Sequence, residues 1–105
     1  MKNPIVILTT ASTKTEADKI ATKLVREKLA ACINIIPNIK SIYRWKDKIS
    51  TDSEFLLIIK TMKSVENKVI QCIKKRHSYD TPEIISFPIT GGDERYLDWM
   101  NDSVV

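Results

Sequence analysis

The sequence predicts an α+β fold in which four strands and two helices follow the order β-α-β-β-α-β, with a further helix at the C-terminal end. Apolar β-branched runs recur along the chain, helical hydrophobic periodicity separates them, and turn-forming residues stand at the junctions. A chain of 105 residues has the size of one domain, and its 43% of hydrophobic residues is close to the globular average. We therefore expect a single domain over residues 1–105.

The first strand and helix have clear local signals. Residues 5–10 are apolar or β-branched throughout, which is typical of a strand covered on both faces. Thr13 and Glu16 have the spacing of a capping box, in which each residue caps the other's backbone. Apolar residues then recur at helical intervals, which predicts a helix over residues 14–30.

The middle of the chain predicts a long hairpin. The segment from Cys32 to Trp45 is rich in Ile, Tyr and Trp, and Pro37 within it implies a bend or an edge position because proline lacks a backbone N–H. Asp47 and Lys48 form a polar break. Residues 55–59 are apolar at every position and predict a third strand that pairs with the second.

The last part of the chain predicts a helix, a strand and a shorter helix. Ser64 is placed to cap a helix that ends near His77 and carries one apolar stripe, formed by Val65, Val69, Cys72 and Ile73. Residues 82–90 predict a strand framed by prolines, and Asp93 is the expected cap of the final helix. The complete order is that of the ferredoxin-like fold, which places two helices on one face of an antiparallel sheet.

Composition narrows the classes of function. Residues 1–77 carry 16 Lys or Arg against 7 Asp or Glu, whereas residues 78–105 carry one Arg against 6 acids. Such a split indicates either a nucleic-acid footprint or, more commonly, two segments that meet across a fold or subunit boundary. The apolar run at 5–8 is too short for a signal-peptide core or a membrane span, so we expect a soluble, cytoplasmic protein without membrane contact.

The sheet face opposite the two helices decides between a nucleic-acid module and an assembly. RNA-recognition modules of the same fold display stacking aromatics and glycine on a central strand. Here the corresponding segment, residues 53–60, is mostly aliphatic, with one aromatic residue and no glycine. A large aliphatic face usually marks an interface. We therefore expect identical subunits to associate, although periodicity cannot give their number.

Four motifs run through the chain in order. They are Leu29-Ala30-Ala31-Cys32-Ile33-Asn34-x-x-Pro37, Ser41-x-Tyr43-x-Trp45, Glu54-x-Leu56-x-x-x-Lys60-Thr61 and His77-x-Tyr79-x-x-Pro82-Glu83-Ile84. Together they resemble the CutA family, and the resemblance covers almost the whole chain. Two departures concern loops: the family usually has glycine where this chain has Asp47, and proline where it has Ser78.

The resemblance implies a homotrimer that binds copper or another divalent metal ion, in a role of metal tolerance or response to metal ions rather than as an enzyme. A likeness in architecture to the trimeric PII signalling proteins leaves a second hypothesis open, a regulatory trimer that senses a small ligand. An RNA-recognition-type module remains the third alternative. Nothing in the sequence has the pattern of a hydrolytic triad or a phosphate-binding loop, so we predict no catalytic residues and no nucleic-acid partner.

His77, Cys32 and Cys72 are the candidate metal ligands. Both cysteines match positions proposed as copper ligands in some members of the family, and thiolates suit Cu(I). Free thiols are expected because no C-x-x-C spacing is present, and Cys72 in the apolar stripe also fits a small buried hydrophobe. His77 shares its motif with Tyr79 and Glu83, yet its place after a basic run also fits a helix-capping role.

Four further residues of the motifs have less specific roles. Tyr43 and Trp45 alternate to one face of the second strand, and we interpret them as interface residues rather than parts of an active site. Glu54 and Lys60 lie on a strand that is otherwise apolar, where charges are uncommon unless they are paired or near a strand end. A role in lining a cleft is the hypothesis for both.

Overall fold

The elements occur in the predicted order in the computed structural model, which describes residues 3–105. They are β1 (Pro4–Ala11), α1 (Lys14–Arg26), β2 (Cys32–Trp45), β3 (Lys48–Met62), α2 (Glu66–Arg76), β4 (Ile84–Pro88) and α3 (Glu94–Ser103). The four strands form one sheet in the order β2-β3-β1-β4, and every neighbouring pair is antiparallel. This arrangement confirms the α+β, ferredoxin-like prediction with an extra C-terminal helix.

The core lies between the sheet and the helices α1 and α2. Alternate residues of β1 and β3 face the helices: Ile7 lies opposite Ile59, and both side chains are fully buried. Ile20 and Leu24 of α1 are also fully buried. Each such aliphatic side chain contributes about 1.5–3 kcal/mol when it leaves water. The predicted stripe of α2 is confirmed, because the same core cluster contains Val65, Val69, Cys72 and Ile73.

Two predicted helix boundaries are wrong. Helix α1 ends at Arg26 instead of residue 30, because Lys28 adopts a left-handed conformation with φ of 57° and the next two N–H groups turn back to the carbonyl of Leu24. Ser64 does not cap α2. It lies inside a short 3₁₀ turn over residues 63–65, and α2 begins after Val65 without a side-chain cap.

The hairpin formed by β2 and β3 extends well beyond the core. Its two-residue turn is Lys46-Asp47, with φ angles of 50° and 62°, the geometry of a type I′ turn. The register shifts between Ile36 and Ile39, where Pro37 interrupts the ladder. Because β2 is at the edge of the sheet, the prediction that Pro37 marks a bend or an edge is confirmed.

The C-terminal helix covers part of the sheet face opposite α1 and α2. Asp93 caps it as predicted, by accepting a hydrogen bond from the N–H of Tyr96 at 3.0 Å. Lys60 lies between two helix-facing residues of β3 and therefore points to the opposite face, where its ammonium is 5.9 Å from the centre of the Tyr96 ring. Met100 of α3 is fully buried.

Apolar side chains remain exposed on the rest of this face. Ile36, Ile85 and Phe87 are 42%, 53% and 45% exposed, so this face presents apolar surface on β2 and β4 rather than on the segment 53–60 from which it was expected. We call this surface the open face. Within residues 3–105, every helix is too short or too polar to cross a lipid bilayer.

The hairpin turn offers a test of the left-handed geometry. We expect Asp47→Gly to stabilise the protein by about 0.5–1 kcal/mol, because glycine adopts a positive φ without the steric penalty of a Cβ atom. Chemical denaturation followed by circular dichroism would measure the change. The matched control is Ser50→Gly, at a strand position opposite Tyr43, which should destabilise the protein by a similar amount. An unchanged or lower midpoint for Asp47→Gly would contradict the turn assignment.

Candidate functional site

One imidazole attaches the loop that follows α2 to the end of β1. The helix ends at Arg76 because His77 has an extended conformation, and the His77 side chain is fully buried. Its Nε2 lies 2.6 Å from the carbonyl oxygen of Thr10, and its Nδ1 accepts a hydrogen bond from the N–H of Tyr79 at 3.1 Å. A carbonyl can only accept, so one neutral tautomer, with hydrogen on Nε2, satisfies both contacts.

Glu16 of α1 supports the same loop. Thr13 accepts a hydrogen bond from the N–H of Glu16 at 3.1 Å, which is one half of the predicted capping box. The carboxylate, however, turns to the loop, where Oε1 accepts a hydrogen bond from the N–H of Ser78 at 2.9 Å. Oε2 is buried, lies 3.8 Å from Nδ1 of His77 and has no hydrogen-bond partner. Glu16 therefore links α1 to the loop, which its spacing to Thr13 alone does not indicate.

The side chain of Tyr79 links this loop to the β2–β3 hairpin. Its hydroxyl donates a hydrogen bond of 2.9 Å to Oε2 of Glu54, a residue of β3 that is only 6% exposed. Burial, together with the bond to the Glu54 carboxylate, raises the pKa of Tyr79 to about 12. The phenol therefore stays protonated and remains a donor at neutral pH.

These contacts form one wall of an open cleft of about 600 Å³, which we call the acidic cleft. It contains three carboxylates and three aromatic rings and, among the described residues that line it, no Lys, Arg or His. The lining residues are Thr10, Ser41, Ile42, Tyr43, Trp45, Glu54, Tyr79, Asp80, Thr81 and Glu83. The hydroxyl of Tyr43 donates to Asp52, and this hydrogen bond raises the pKa of Tyr43.

The three candidate metal ligands occupy separate places. Cys32 is half-buried at the start of β2, Cys72 is buried on the core side of α2, and the His77 imidazole is enclosed as described above. Over residues 3–105, no three His, Cys, Asp or Glu side chains come together in a group that could hold a metal ion. The described residues of one chain therefore do not fit a complete copper site, and the ligand assignment stays a prediction.

The acidic cleft contains some residues that the sequence singled out and others that it did not. Tyr43 and Trp45, interpreted as interface residues, line it, and so does Glu54 as hypothesised. Lys60 is not among its lining residues and lies beside α3 instead. Asp80 was missed, although the acidic bias of residues 78–105 is the signal that could have indicated it.

Comparisons with known proteins agree along almost the whole chain. A family model described as CutA1 divalent ion tolerance protein matches residues 5–103. The chloroplastic protein CutA of Arabidopsis thaliana is 46% identical over 99 residues, which are 94% of this chain and 54% of that protein. The divalent-cation tolerance protein CutA of Escherichia coli (strain K12 / DH10B) is 40% identical over 100 residues, 95% of this chain and 89% of that protein. This chain thus spans about half the length of the plant relative.

Solved structures show the same similarity. The crystal structure of CutA1 from Oryza sativa has a TM-score of 0.95 and 43% identity, covering 98% of this chain and 94% of that one. The structure of the periplasmic divalent cation tolerance protein CutA from Archaeoglobus fulgidus has a TM-score of 0.93 and 42% identity, with 100% of both chains covered.

The raised pKa of Tyr79 predicts a loss of stability at high pH. The ordinary pKa of tyrosine is about 10. Since the folded state holds the Tyr79 proton more tightly than the unfolded chain does, the stabilisation is complete below about pH 10 and is lost as the pH rises toward about 12. Tyr79→Phe should cost about 1 kcal/mol at pH 8, and the difference from wild type should shrink with rising pH. Denaturation midpoints of both proteins between pH 8 and about 11.5 measure this.

Glu54→Gln is the matched control for that titration. Glutamine keeps an acceptor for the Tyr79 hydroxyl and removes the negative charge, so the pKa of Tyr79 should move down toward its ordinary value. The loss of stability should then still begin near pH 10, the ordinary tyrosine pKa, but it should be smaller and end at lower pH. A constant difference between wild type and Tyr79→Phe across the whole pH range would contradict the assignment.

Proposed function

The chain belongs to the CutA1 family of divalent ion tolerance proteins, and on that premise we propose that it acts in divalent-cation tolerance as a homotrimer that binds copper without catalysing a reaction. The observation that carries the proposal is the family match over residues 5–103. We also propose a cytoplasmic location, although one relative is named chloroplastic and another periplasmic.

Exposed apolar surface supports the proposal of an assembly. The open face presents Ile85 and Phe87, and the far part of the hairpin presents Ile42, Trp45 and Ile49, which are 64%, 58% and 74% exposed. Two separate apolar regions on one chain suit a closed ring, in which one region of each subunit packs against the other region of the next. The number three comes from the resemblance to the family.

The metal proposal assigns separate roles to the candidate ligands. Cys32 is half-buried and is the thiol most open to an incoming ion. His77 can ligate only through Nδ1, which must then release the N–H of Tyr79, since Nε2 carries the hydrogen donated to Thr10. Cys72 faces the core, where a small buried hydrophobe is also expected. We propose that groups of a neighbouring subunit complete the coordination, with copper bound more tightly than zinc.

The charge distribution supports the proposal that nucleic acid and membranes are not partners. The most exposed aromatic residue of the hairpin, Trp45, lines the acidic cleft together with Glu54 and Glu83. These carboxylates repel the phosphates that a stacked nucleotide or an anionic lipid would bring close. On the open face the exposed side chains are mostly aliphatic, such as Ile36 and Ile85, with one ring at Phe87.

Sedimentation equilibrium at micromolar concentration tests the assembly. We expect a particle of three times the 12.0 kDa chain mass. Phe87→Asp should shift it toward monomer, because a charge on an apolar interface loses its hydration without gaining a partner. The matched control is Val25→Asp, at a similarly exposed position on α1, which should leave the assembly intact. A folded monomer of the wild-type chain would contradict the proposal.

Native mass spectrometry with Cu(I), Cu(II) and Zn(II) tests the ligands. His77→Ala should weaken copper binding by about 10–100-fold, because losing even a residue that only hydrogen-bonds to a metal ligand has an effect of that size. The trimer should persist in this variant. Cys32→Ser should also weaken binding. If Cys72 only packs in the core, Cys72→Ser should lose about 1–3 kcal/mol of stability and keep its copper. Unchanged stoichiometry and affinity in all three variants would place the ligands elsewhere.

A further inference from the structure

Positive charge is concentrated on the two helices that cover the core. The segments 14–28 and 63–76, which contain α1 and α2, carry ten Lys or Arg against four Asp or Glu, whereas the rest of the chain carries seven against nine. Both helices lie on the side of the sheet opposite the open face. An assembly built from the open face and the hairpin therefore leaves this basic surface uncovered.

The acidic residues of the two segments are already engaged. Three of them form ion pairs with a nearby lysine, and the fourth, Glu16, supports the loop after α2; the pairs are Lys14–Asp18, Lys23–Glu27 and Lys63–Glu66. Over residues 3–105, Lys19, Arg26, Lys68 and Lys75 form no ion pair with a carboxylate. The excess of positive charge is therefore not compensated within the described part of the chain.

Two open cavities between α1 and α2 collect these cations. Their volumes are about 700 Å³ and about 460 Å³, and both are lined by Lys23 and Arg76, so they form one continuous depression, which we call the basic groove. Helix α1, which lines one side, has 13 residues and so spans about 20 Å. The basic residues that line the groove are Lys19, Lys23, Arg26, Lys68, Lys75 and Arg76.

The helix dipoles explain only part of this charge. A cation in the last turn of a helix is stabilised by the dipole, which accounts for Arg26 in α1 and for Lys75 and Arg76 in α2. Lys68 has the opposite position, in the first turn of α2, where the positive end of the dipole disfavours a cation. Lys19 lies in the middle of α1. An anion from outside the chain would compensate both of these charges.

The guanidinium of Arg76 is held in place beside the groove without a carboxylate. Its Nη1 donates a hydrogen bond of 3.3 Å to the carbonyl oxygen of Cys72 and lies 3.6 Å from the Sγ atom of the same residue. The other N–H groups of the fork have no hydrogen-bond partner among residues 3–105. A guanidinium binds carboxylates and phosphates through two parallel hydrogen bonds, so this fork is prepared for an oxyanion.

The remaining lining of the groove favours a compact, highly charged anion. It consists mostly of hydrogen-bond donors, namely the hydroxyls of Thr13, Thr15 and Thr22 and the amides of Asn67 and Gln71. Among the described lining residues there is no aromatic ring on which a nucleobase could stack. An amphipathic peptide helix would find no apolar stripe there, because Leu29 and Cys72 are the apolar lining residues.

We propose that the basic groove binds a linear chain of phosphate groups, as in inorganic polyphosphate. Arg76 binds the middle of the chain, since it lines both cavities. Lys19 and Arg26 contact phosphates along α1, and Lys68 and Lys75 contact them along α2. Binding is non-covalent and changes no bond of the anion. The site requires neither the proposed metal ligands nor the proposed assembly.

Isothermal titration calorimetry of the full chain tests the site directly. The probe is inorganic polyphosphate, compared at equal phosphate concentration with orthophosphate, oligothymidylate and polyglutamate. We expect saturable binding of polyphosphate that weakens as sodium chloride is added, because several lysine–phosphate contacts form at once. Orthophosphate should bind far more weakly because it makes only one or two of these contacts. Oligothymidylate should also bind weakly, since its phosphates are more widely spaced and its bases find no ring to stack on.

Charge variants on α2 locate the binding. Lys68→Glu should weaken polyphosphate binding by about 10-fold, because it removes one exposed charge pair and adds a repulsion. The helix should tolerate this change well, since an acid suits its first turn. The matched control is Lys74→Glu, an exposed position on the same helix that does not line the groove, with the same change in net charge. It should weaken binding by less than about 2-fold.

Arg76→Lys separates the guanidinium fork from its charge. Lysine keeps the positive charge but cannot form two parallel hydrogen bonds with one phosphate, so binding should weaken by about 10-fold. Circular dichroism and sedimentation of all three variants should match those of the wild-type chain, because the substitutions lie outside the core and the open face.

Three results would overturn the proposal. The first is no saturable heat with polyphosphate at millimolar phosphate concentration. The second is an equal loss of affinity in Lys68→Glu and Lys74→Glu, which would mean a general attraction to net charge, or unchanged affinity in both Lys68→Glu and Arg76→Lys. The third is binding of oligothymidylate or polyglutamate as tight as that of polyphosphate, because the groove would then accept a nucleic acid or an acidic peptide instead.

Discussion

The two hydrogen bonds of the His77 imidazole hold the region on which the acidic cleft depends. Through Nε2 the ring binds the carbonyl of Thr10 at the end of β1, and through Nδ1 it binds the N–H of Tyr79 in the loop after α2. Because the side chain is fully buried, water cannot replace either bond unless the loop opens. Tyr79 reaches Glu54 from this loop, so the cleft keeps its shape only while the imidazole stays in place.

The same constraint would connect the proposed metal ligand His77 to the cleft. A metal ion at Nδ1 of His77 would compete with the N–H of Tyr79 for one lone pair, and its binding would free Tyr79 to move away from Glu54. Glu16 also supports the loop, since its carboxylate accepts a hydrogen bond from the N–H of Ser78.

The apolar surface that the chain leaves exposed follows from the lengths of its elements. β2 and β3 are 14 and 15 residues long, whereas β4 has only 5, so the hairpin extends past the part of the sheet that the helices cover. Pairing between β2 and β3 satisfies the backbone polar groups of the hairpin, yet the side chains of Trp45 and Ile49 remain mostly exposed. Helix α3 covers one end of the open face and leaves Ile85 and Phe87 exposed. In the assembly that we propose, a second copy of the chain supplies the missing burial.

The sequence alone determined the order of the elements, the edge position of Pro37 and the cap at Asp93. These features depend on hydrophobic periodicity and on capping residues, which act within a few residues along the chain. The end of α1 at Arg26 was missed, since the left-handed residue that follows it, Lys28, is not a glycine and has no clear local signal. Only the tertiary structure decided the second role of Glu16 and the composition of the acidic cleft. Residues 10, 41–45, 54 and 79–83 meet there because the sheet register and the docked loop bring them together, and neither is encoded by spacing along the chain.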